Sequence, residues 1–183
     1  MPTVRRENRG PSAAEANRRA LLAAAHEVFG ERGIDAPLSA VAKRAGVGQG
    51  SLYRHFPDRA GLALAVFEDN VLGLEALAQE PGVTLEMLVR ALTDQIVGSV
   101  AFVDILTATS EDPRVVALAD RVRRVLADVA ADGRSTVTAD DLLLAVGMVA
   151  AVVARAPAEQ RRAVADRAWV LLWRGLEPAA NTH

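Results

Sequence analysis

The sequence predicts an all-α fold, and three observations carry that expectation. Apolar residues recur three and four positions apart along most of the chain, the spacing that gathers them on one face of a helix. No stretch has the alternating β-branched pattern of a strand. Hydrophobic residues make up 51% of the 183 but aromatics only 4%, so the core is built of Ala, Leu and Val, which suit closely packed helices. The expected architecture is about nine helices in two units. A three-helix unit over residues 12–60 follows a polar tail at 1–11, and a larger helical unit fills 61–183.

Residues 1–11 carry Arg5, Arg6 and Arg9 without apolar periodicity, so no core anchors them. A basic arm reaching along a DNA backbone and an ordinary solvated tail both fit them. The first helix is expected from Ser12, with Glu15 completing a capping box. Its stripe is Leu21, Leu22, Ala25, Val28 and Phe29, and Gly33 closes it as a left-handed cap. His26 has no second ligand at metal spacing and reads as a partly buried helix residue.

Asp35-Ala36-Pro37 opens the second helix, with Leu38, Val41, Ala42 and Ala45 on one face. Gly46-Val47-Gly48 breaks the run, and Leu52 with Phe56 resumes an apolar face in a third helix. Two short helices about a Gly-containing turn form a helix-turn-helix, whose second helix enters the DNA major groove. Gln49, Ser51, Arg54 and His55 lie off the Leu52/Phe56 face and offer amide, hydroxyl, guanidinium and imidazole groups to base edges or phosphates.

Pro57-Asp58 ends the third helix and caps a fourth, about Arg59 to Gln79, with Leu62, Val66, Phe67, Val71, Leu74 and Leu77 at helical spacing. One of its ends lies at the small unit and the other in the large one. Glu80-Pro81-Gly82 stops it. A fifth, amphipathic helix is expected from Thr84 to about Val103, then a bend or short helix over Asp104 to Ser110. Asp112-Pro113 caps a helix reaching Ala131, Thr138 with Asp141 caps an apolar one ending near Arg155, and Pro157 opens the last, from Ala158 to about Leu176.

Charge and composition narrow the function. The net charge of −2 divides unevenly. Residues 1–60 hold ten Lys/Arg against six acids, a net +4, and residues 61–183 hold 11 against 17, a net −6. That is the pattern of a polyanion-binding head on a non-binding body. The absence of cysteine excludes disulfide and thiolate chemistry and fits a reducing cytoplasm. The apolar run Leu142 to Ala154 is too short to span a bilayer, and no signal-peptide pattern opens the chain, so no membrane partner is expected. His26, His55 and His183 form no triad or metal-protease spacing, and no phosphate-cradling loop is present. The chain therefore reads as a non-enzyme without metal or cofactor.

The string Gly46-Val47-Gly48-Gln49-Gly50-Ser51-Leu52-Tyr53-Arg54-His55-Phe56-Pro57, followed by Arg59 and Leu62, closely resembles the TetR family of bacterial transcriptional regulators. The likeness runs from about Arg18 to Ala65, the whole DNA-binding domain of that family. It implies that Gln49, Gly50, Ser51, Tyr53 and His55 stand at positions that commonly meet DNA. Arg59 replaces a lysine that usually contacts phosphate. Ala36, Pro37 and Leu38 depart from the family's hydroxyl residues there, and Ser39 is expected to take over their phosphate contact. Arg54 and Gln49 have the chemistry to read guanine and adenine respectively.

The resemblance also implies a homodimer joined by the last two helices, with Leu144, Met148, Ala151, Ala165, Trp169, Leu172 and Trp173 at the seam. Pattern alone allows those helices to fill the chain's own core instead. A pocket for a small organic effector is implied in the larger unit, with Gln95, Ser99, Phe102, Thr107, Met148 and Trp169 as its candidates. The expected function is thus a cytoplasmic homodimeric repressor, nucleoid-associated when bound, that leaves a palindromic double-stranded operator when the effector enters. The alternatives are a helical protein-interaction module and a regulator without a ligand.

Overall fold

A computed structural model describes residues 11–33, 35–98, 111–132 and 137–176. They form eight α-helices, α1 (Pro11–Arg32), α2 (Leu38–Arg44), α3 (Gln49–His55), α4 (Arg59–Ala78), α5 (Leu85–Gly98), α6 (Pro113–Asp132), α7 (Ala139–Ala154) and α8 (Arg161–Leu176). No strand occurs among the described residues. The expected bend over 104–110, the far end of the fifth helix and the tail at 1–10 lie outside them.

The helices begin and end where local chemistry directs. The described part of α1 begins at Pro11, one residue before the expected start at Ser12. Gly33, at φ 77°, closes α1 in the left-handed region. Asp58 caps α4, its Oδ1 accepting from the Gly61 N–H at 2.7 Å. The final helix also differs from expectation. Its first turn, Ala158–Gln160, is a 3₁₀ turn in which the Gln160 N–H donates to Pro157 O at 2.9 Å, and regular α-helix starts only at Arg161.

α7 carries a full capping box. Thr138 Oγ1 accepts from the Asp141 N–H at 3.2 Å, and Asp141 Oδ2 accepts from the Thr138 N–H at 3.1 Å. The Thr138 hydroxyl also donates to Asp141 and holds its carboxyl below the ordinary aspartate range. Thr138→Ala should therefore cost about 1 kcal/mol of stability, read as a lower midpoint in urea with an unchanged slope.

Two cores share α4. The first joins Leu21, Leu22, Ala25, Val28 and Phe29 of α1 to Val41 of α2, Leu52 of α3, and Leu62 and Val66 of α4. The second joins Val71 and Leu74 of α4 to Leu88 and Leu92 of α5, Val122 and Leu126 of α6, Leu142 and Val149 of α7, and Ala165 and Trp169 of α8. The changeover falls inside a continuous helix of 20 residues, about 30 Å long. Leu64 and Phe67 already pack on the second core, two turns and one turn before Val71.

α5 is bound to its neighbours by polar contacts as well as packing. The buried Thr93 hydroxyl donates to Val89 O at 2.7 Å and accepts from Trp169 Nε1 at 2.7 Å, joining α5 to α8. Arg162 pairs with Asp94 beside it. On another side, Gln95 Nε2 donates to Asn70 O of α4 at 3.2 Å.

Candidate nucleic-acid interface

The first core holds up a short helix whose outer face is polar. α2 ends at Arg44, and the chain reverses through Gly46 at φ 65°, a left-handed conformation that glycine takes without strain. The Val47 N–H donates to Ala42 O at 3.0 Å and tightens the turn. Gly48 then starts α3 with extended backbone and no side-chain cap, and its carbonyl accepts from the Leu52 N–H at 3.1 Å. Phe56 leaves the helical region and ends α3.

Within α3 the inward and outward faces separate cleanly. Leu52 is fully buried and Phe56, just beyond the helix, nearly so. Gln49, Gly50, Tyr53 and Arg54 are exposed, with Tyr53 at 50%. Ser51 and His55 are half-buried, at the margin between the faces, and the His55 ring lies tilted against Phe56 at 6.1 Å between centroids. Ser39 is exposed in the first turn of α2. Four of the predicted residues thus share one open surface, and two flank it.

Arg59, expected at a phosphate, makes contacts within the chain. It is half-buried, its Nη1 donates to Ala36 O at 2.8 Å, and its guanidinium lies 5.7 Å from the Phe29 ring centroid. The contact ties the start of α4 to the loop before α2, and the attraction between a cation and an aromatic face reinforces it.

Two further arginines, not singled out by the sequence pattern, brace this surface. Arg44 makes ion pairs to Glu27 at 2.6 Å and Glu31 at 2.9 Å, pinning α2 across α1. Its guanidinium holds the Glu31 carboxyl below the usual glutamate range. The signal was legible after all: Glu27 and Glu31 stand four apart, one above the other on a helix, and call for a cation from elsewhere. Arg18 of α1 lies 5.8 Å from the Phe56 ring centroid, bringing positive charge to the C-terminal end of α3, where helix carbonyls favour it.

In the larger unit the expected seam and pocket residues divide between core and surface. Ala165 and Trp169, proposed for a dimer seam, are buried at 0% and 7% in the chain's own core. They lie four apart on the inward stripe of α8, and the apolar residues of that helix cover two sides rather than one. Leu172 and Trp173 are half-buried, with Trp173 stacked near Trp169 at 5.7 Å between centroids. Leu144 and Met148 do face outward, and Val152 continues the stripe. Ala151 is exposed beside them, and Val170 and Leu171 are the exposed apolar residues of α8.

Among the pocket candidates, Met148 is half exposed on that outer stripe, while Ala145, Val149 and Val153 take the inward positions of α7. Trp169 is packed inside the core on Thr93, and the half-buried Gln95 is tied to α4. Ser99, Phe102 and Thr107 lie outside the described residues. A cleft of about 570 Å³ opens instead between α4 and α6, lined by Glu75, Gln79, Arg121, Arg124, Val125 and Asp128 among others. Arg121 grips Glu75 across it in a two-pronged pair at 2.7 and 2.6 Å and holds its carboxyl below the ordinary range. No group of three His, Cys, Asp or Glu able to hold a metal occurs among the described residues.

Comparisons with known proteins agree with this geometry. A family model described as bacterial regulatory proteins, tetR family, matches residues 21–66, the segment of the first core. A curated HTH-type transcriptional regulator of Staphylococcus aureus (strain USA300) is 38% identical over 56 residues, a match that spans 30% of this chain and 30% of that relative. Over nearly the whole length, the chain is similar to the crystal structure of the TetR transcriptional regulator SCO0520 from Streptomyces coelicolor. That likeness is 31% identical, covers 89% of this chain and 99% of the other, and has a TM-score of 0.64. The TetR-like regulator LfrR from Mycobacterium smegmatis, solved in complex with proflavine, is 22% identical over 91% of this chain and 99% of its own, with a TM-score of 0.61, and shares the fold.

Proposed function

This chain belongs to the TetR family of bacterial transcriptional regulators, and from that premise we propose that it is a homodimeric repressor whose two α3 helices read a palindromic DNA operator and whose body releases the DNA on binding a small organic effector. The observation that carries the DNA-binding part is the division of α3. Leu52 anchors it at full burial, while Gln49, Gly50, Tyr53 and Arg54 stand exposed on the other side. A helix fixed from behind and polar in front is what groove recognition requires. Gln49 suits adenine and Arg54 guanine. Ser39, Ser51, His55 and the Tyr53 hydroxyl supply backbone contacts that set register. Arg59 acts from behind, holding the loop before α2.

Support for the dimer comes from the outward stripe Leu144, Met148 and Val152 of α7 and from Val170 and Leu171 of α8, which the chain's own core leaves uncovered. A two-fold seam on these helices buries them and sets the distance between the two α3 helices. For the effector, the support is the same fold holding proflavine in the Mycobacterium smegmatis protein. Release needs a coupling of only about 1 to 3 kcal/mol between body and head. No helix among the described residues is long and apolar enough to cross a membrane, and the proposed setting is the cytoplasm, on the nucleoid when bound.

The test is fluorescence anisotropy on a duplex selected from a random pool with the wild-type protein. Gln49→Ala and Tyr53→Ala should each weaken binding by about 1 to 3 kcal/mol while leaving the unfolding midpoint in place. Affinity for the duplex should fall steeply as salt rises. Unchanged affinity in both variants would remove α3 from the reading surface.

A further inference from the structure

Gly30 lies inside α1, two residues before its end at Arg32, where glycine is a poor helix former. A Cβ built on Gly30 would sit 2.4 Å from the carbonyl oxygen of Gly98, the last described residue of α5, and 3.6 Å from its carbonyl carbon. Contacts that short do not occur between real side chains and backbone, so only glycine lets α1 and α5 approach this closely. The fit has a second wall. His26 is one turn before Gly30 on the same face, and a Cβ on Gly98 would meet its ring at 3.0 Å from Cε1 and 3.6 Å from Nε2. Gly98 of α5 is thus seated on α1 between His26 and Gly30.

From this we infer that the Gly30–Gly98 contact, walled by His26, is a positioning device: it sets where the body holds the DNA-binding head. α1 is the helix on which α2 and α3 pack, so α3 goes where α1 goes. On the other side, α5 is held to α8 within five residues of the seat, through Thr93 with Trp169 and Asp94 with Arg162, and to α4 through Gln95 with Asn70. Load from the α7/α8 side therefore reaches the head by a route through α8, α5 and α1, parallel to the continuous helix α4. A single helical connection permits the head to twist and bend about it. A second contact, backbone on backbone, removes that freedom and fixes the separation of the two α3 helices to match half-sites about one DNA turn apart. The positioning residues are Gly30, Gly98 and His26, none of which reads DNA.

The operator arm of the test rests on the reading under Proposed function, whereas the distance arm does not. The chain contains no cysteine, so spin labels on Lys43→Cys in the head and Arg124→Cys in the body report one intrachain distance when the labelled protein is diluted into unlabelled. Gly30→Ala should shift or broaden that distance distribution. It should also lower affinity for the selected palindromic duplex about tenfold, in the range of a coupling between sites. Its preference for the spacing between half-sites, read with one base pair inserted or removed at the centre, should change, while affinity for a single half-site stays at the wild-type level. Gly98→Ala should act the same way, and His26→Ala should relieve Gly98→Ala but not Gly30→Ala, because a side chain can be removed and the Gly98 carbonyl cannot.

Identical distance distributions and an unchanged spacing preference in Gly30→Ala would overturn the proposal. Should that variant fail to fold, Gly98→Ala alone and with His26→Ala decides: no shift, or a shift His26→Ala does not reverse, overturns it equally. Wild-type protein that binds no duplex would defeat the reading of a DNA regulator, and the label distances would still judge the seat.

Discussion

Leu52→Ala should cost the head about 2 to 5 kcal/mol and abolish operator binding, the larger of the two effects coming from loss of the fold rather than of a contact. Leu52 is the one buried residue within α3, fully enclosed in the core it shares with α1, α2 and α4. α3 has seven residues, too few to be helical on their own, so tertiary burial is what keeps it formed. Removing that side chain leaves a cavity in a small core and withdraws the anchor at the same stroke. Hydrogen exchange should show rapid exchange through α2 and α3, with α6 and α7 protected as before. Gln49→Ala, which weakens binding with no loss of protection, is the contrasting control. Protection of α3 in Leu52→Ala equal to the wild type would mean that α1 and α4 hold the reading helix without it.

The second large effect is expected from charge on the outward stripe. Leu144→Glu together with Met148→Glu should leave each chain folded and convert the protein to a monomer, because both side chains are at least half exposed and belong to neither core. Two carboxylates facing two others across a two-fold axis make the seam repulsive as well as wet. The consequence for DNA is larger than any single contact. Two linked half-site readers gain about 10²- to 10⁴-fold in avidity over one, and the monomer forfeits it. Sedimentation should give the monomer mass, circular dichroism an unchanged spectrum, and anisotropy a palindrome affinity close to that for a half-site. A variant that still sediments as a dimer would place the seam on another face.

How much of this was readable in the residues depends on the distance over which each feature is determined. The turn at Gly46, the cap at Asp58 and the capping box of Thr138 and Asp141 are set within a few positions, and each stands where its pattern put it. The polar and apolar sides of α3 followed from the spacing of Leu52 and Phe56 in the same way. α8 was harder. Ala165, Trp169, Leu172 and Trp173 look like one stripe, but Val170 and Leu171 lie opposite, and only the packing partners determine which side turns inward. Arg59 illustrates the same limit. A cation at the start of a helix beside DNA suggests a phosphate, while the carbonyl of Ala36 that it meets lies 23 residues earlier in the chain. Gly30 and Gly98 are further apart still, and nothing local distinguishes them from other helical glycines.

The sharing of α4 between two cores bears on protein engineering. Modular exchange of reading heads between regulators presumes a seam at which one piece ends and the next begins, and here the chain offers none near residue 60. A graft cut there would strip Leu62, Ala63 and Val66 from the transplanted head and leave them behind on the original body. The workable junction lies between Val66 and Val71, with the number of residues across it conserved, since each one added or removed turns the head by about 100° about the helix axis.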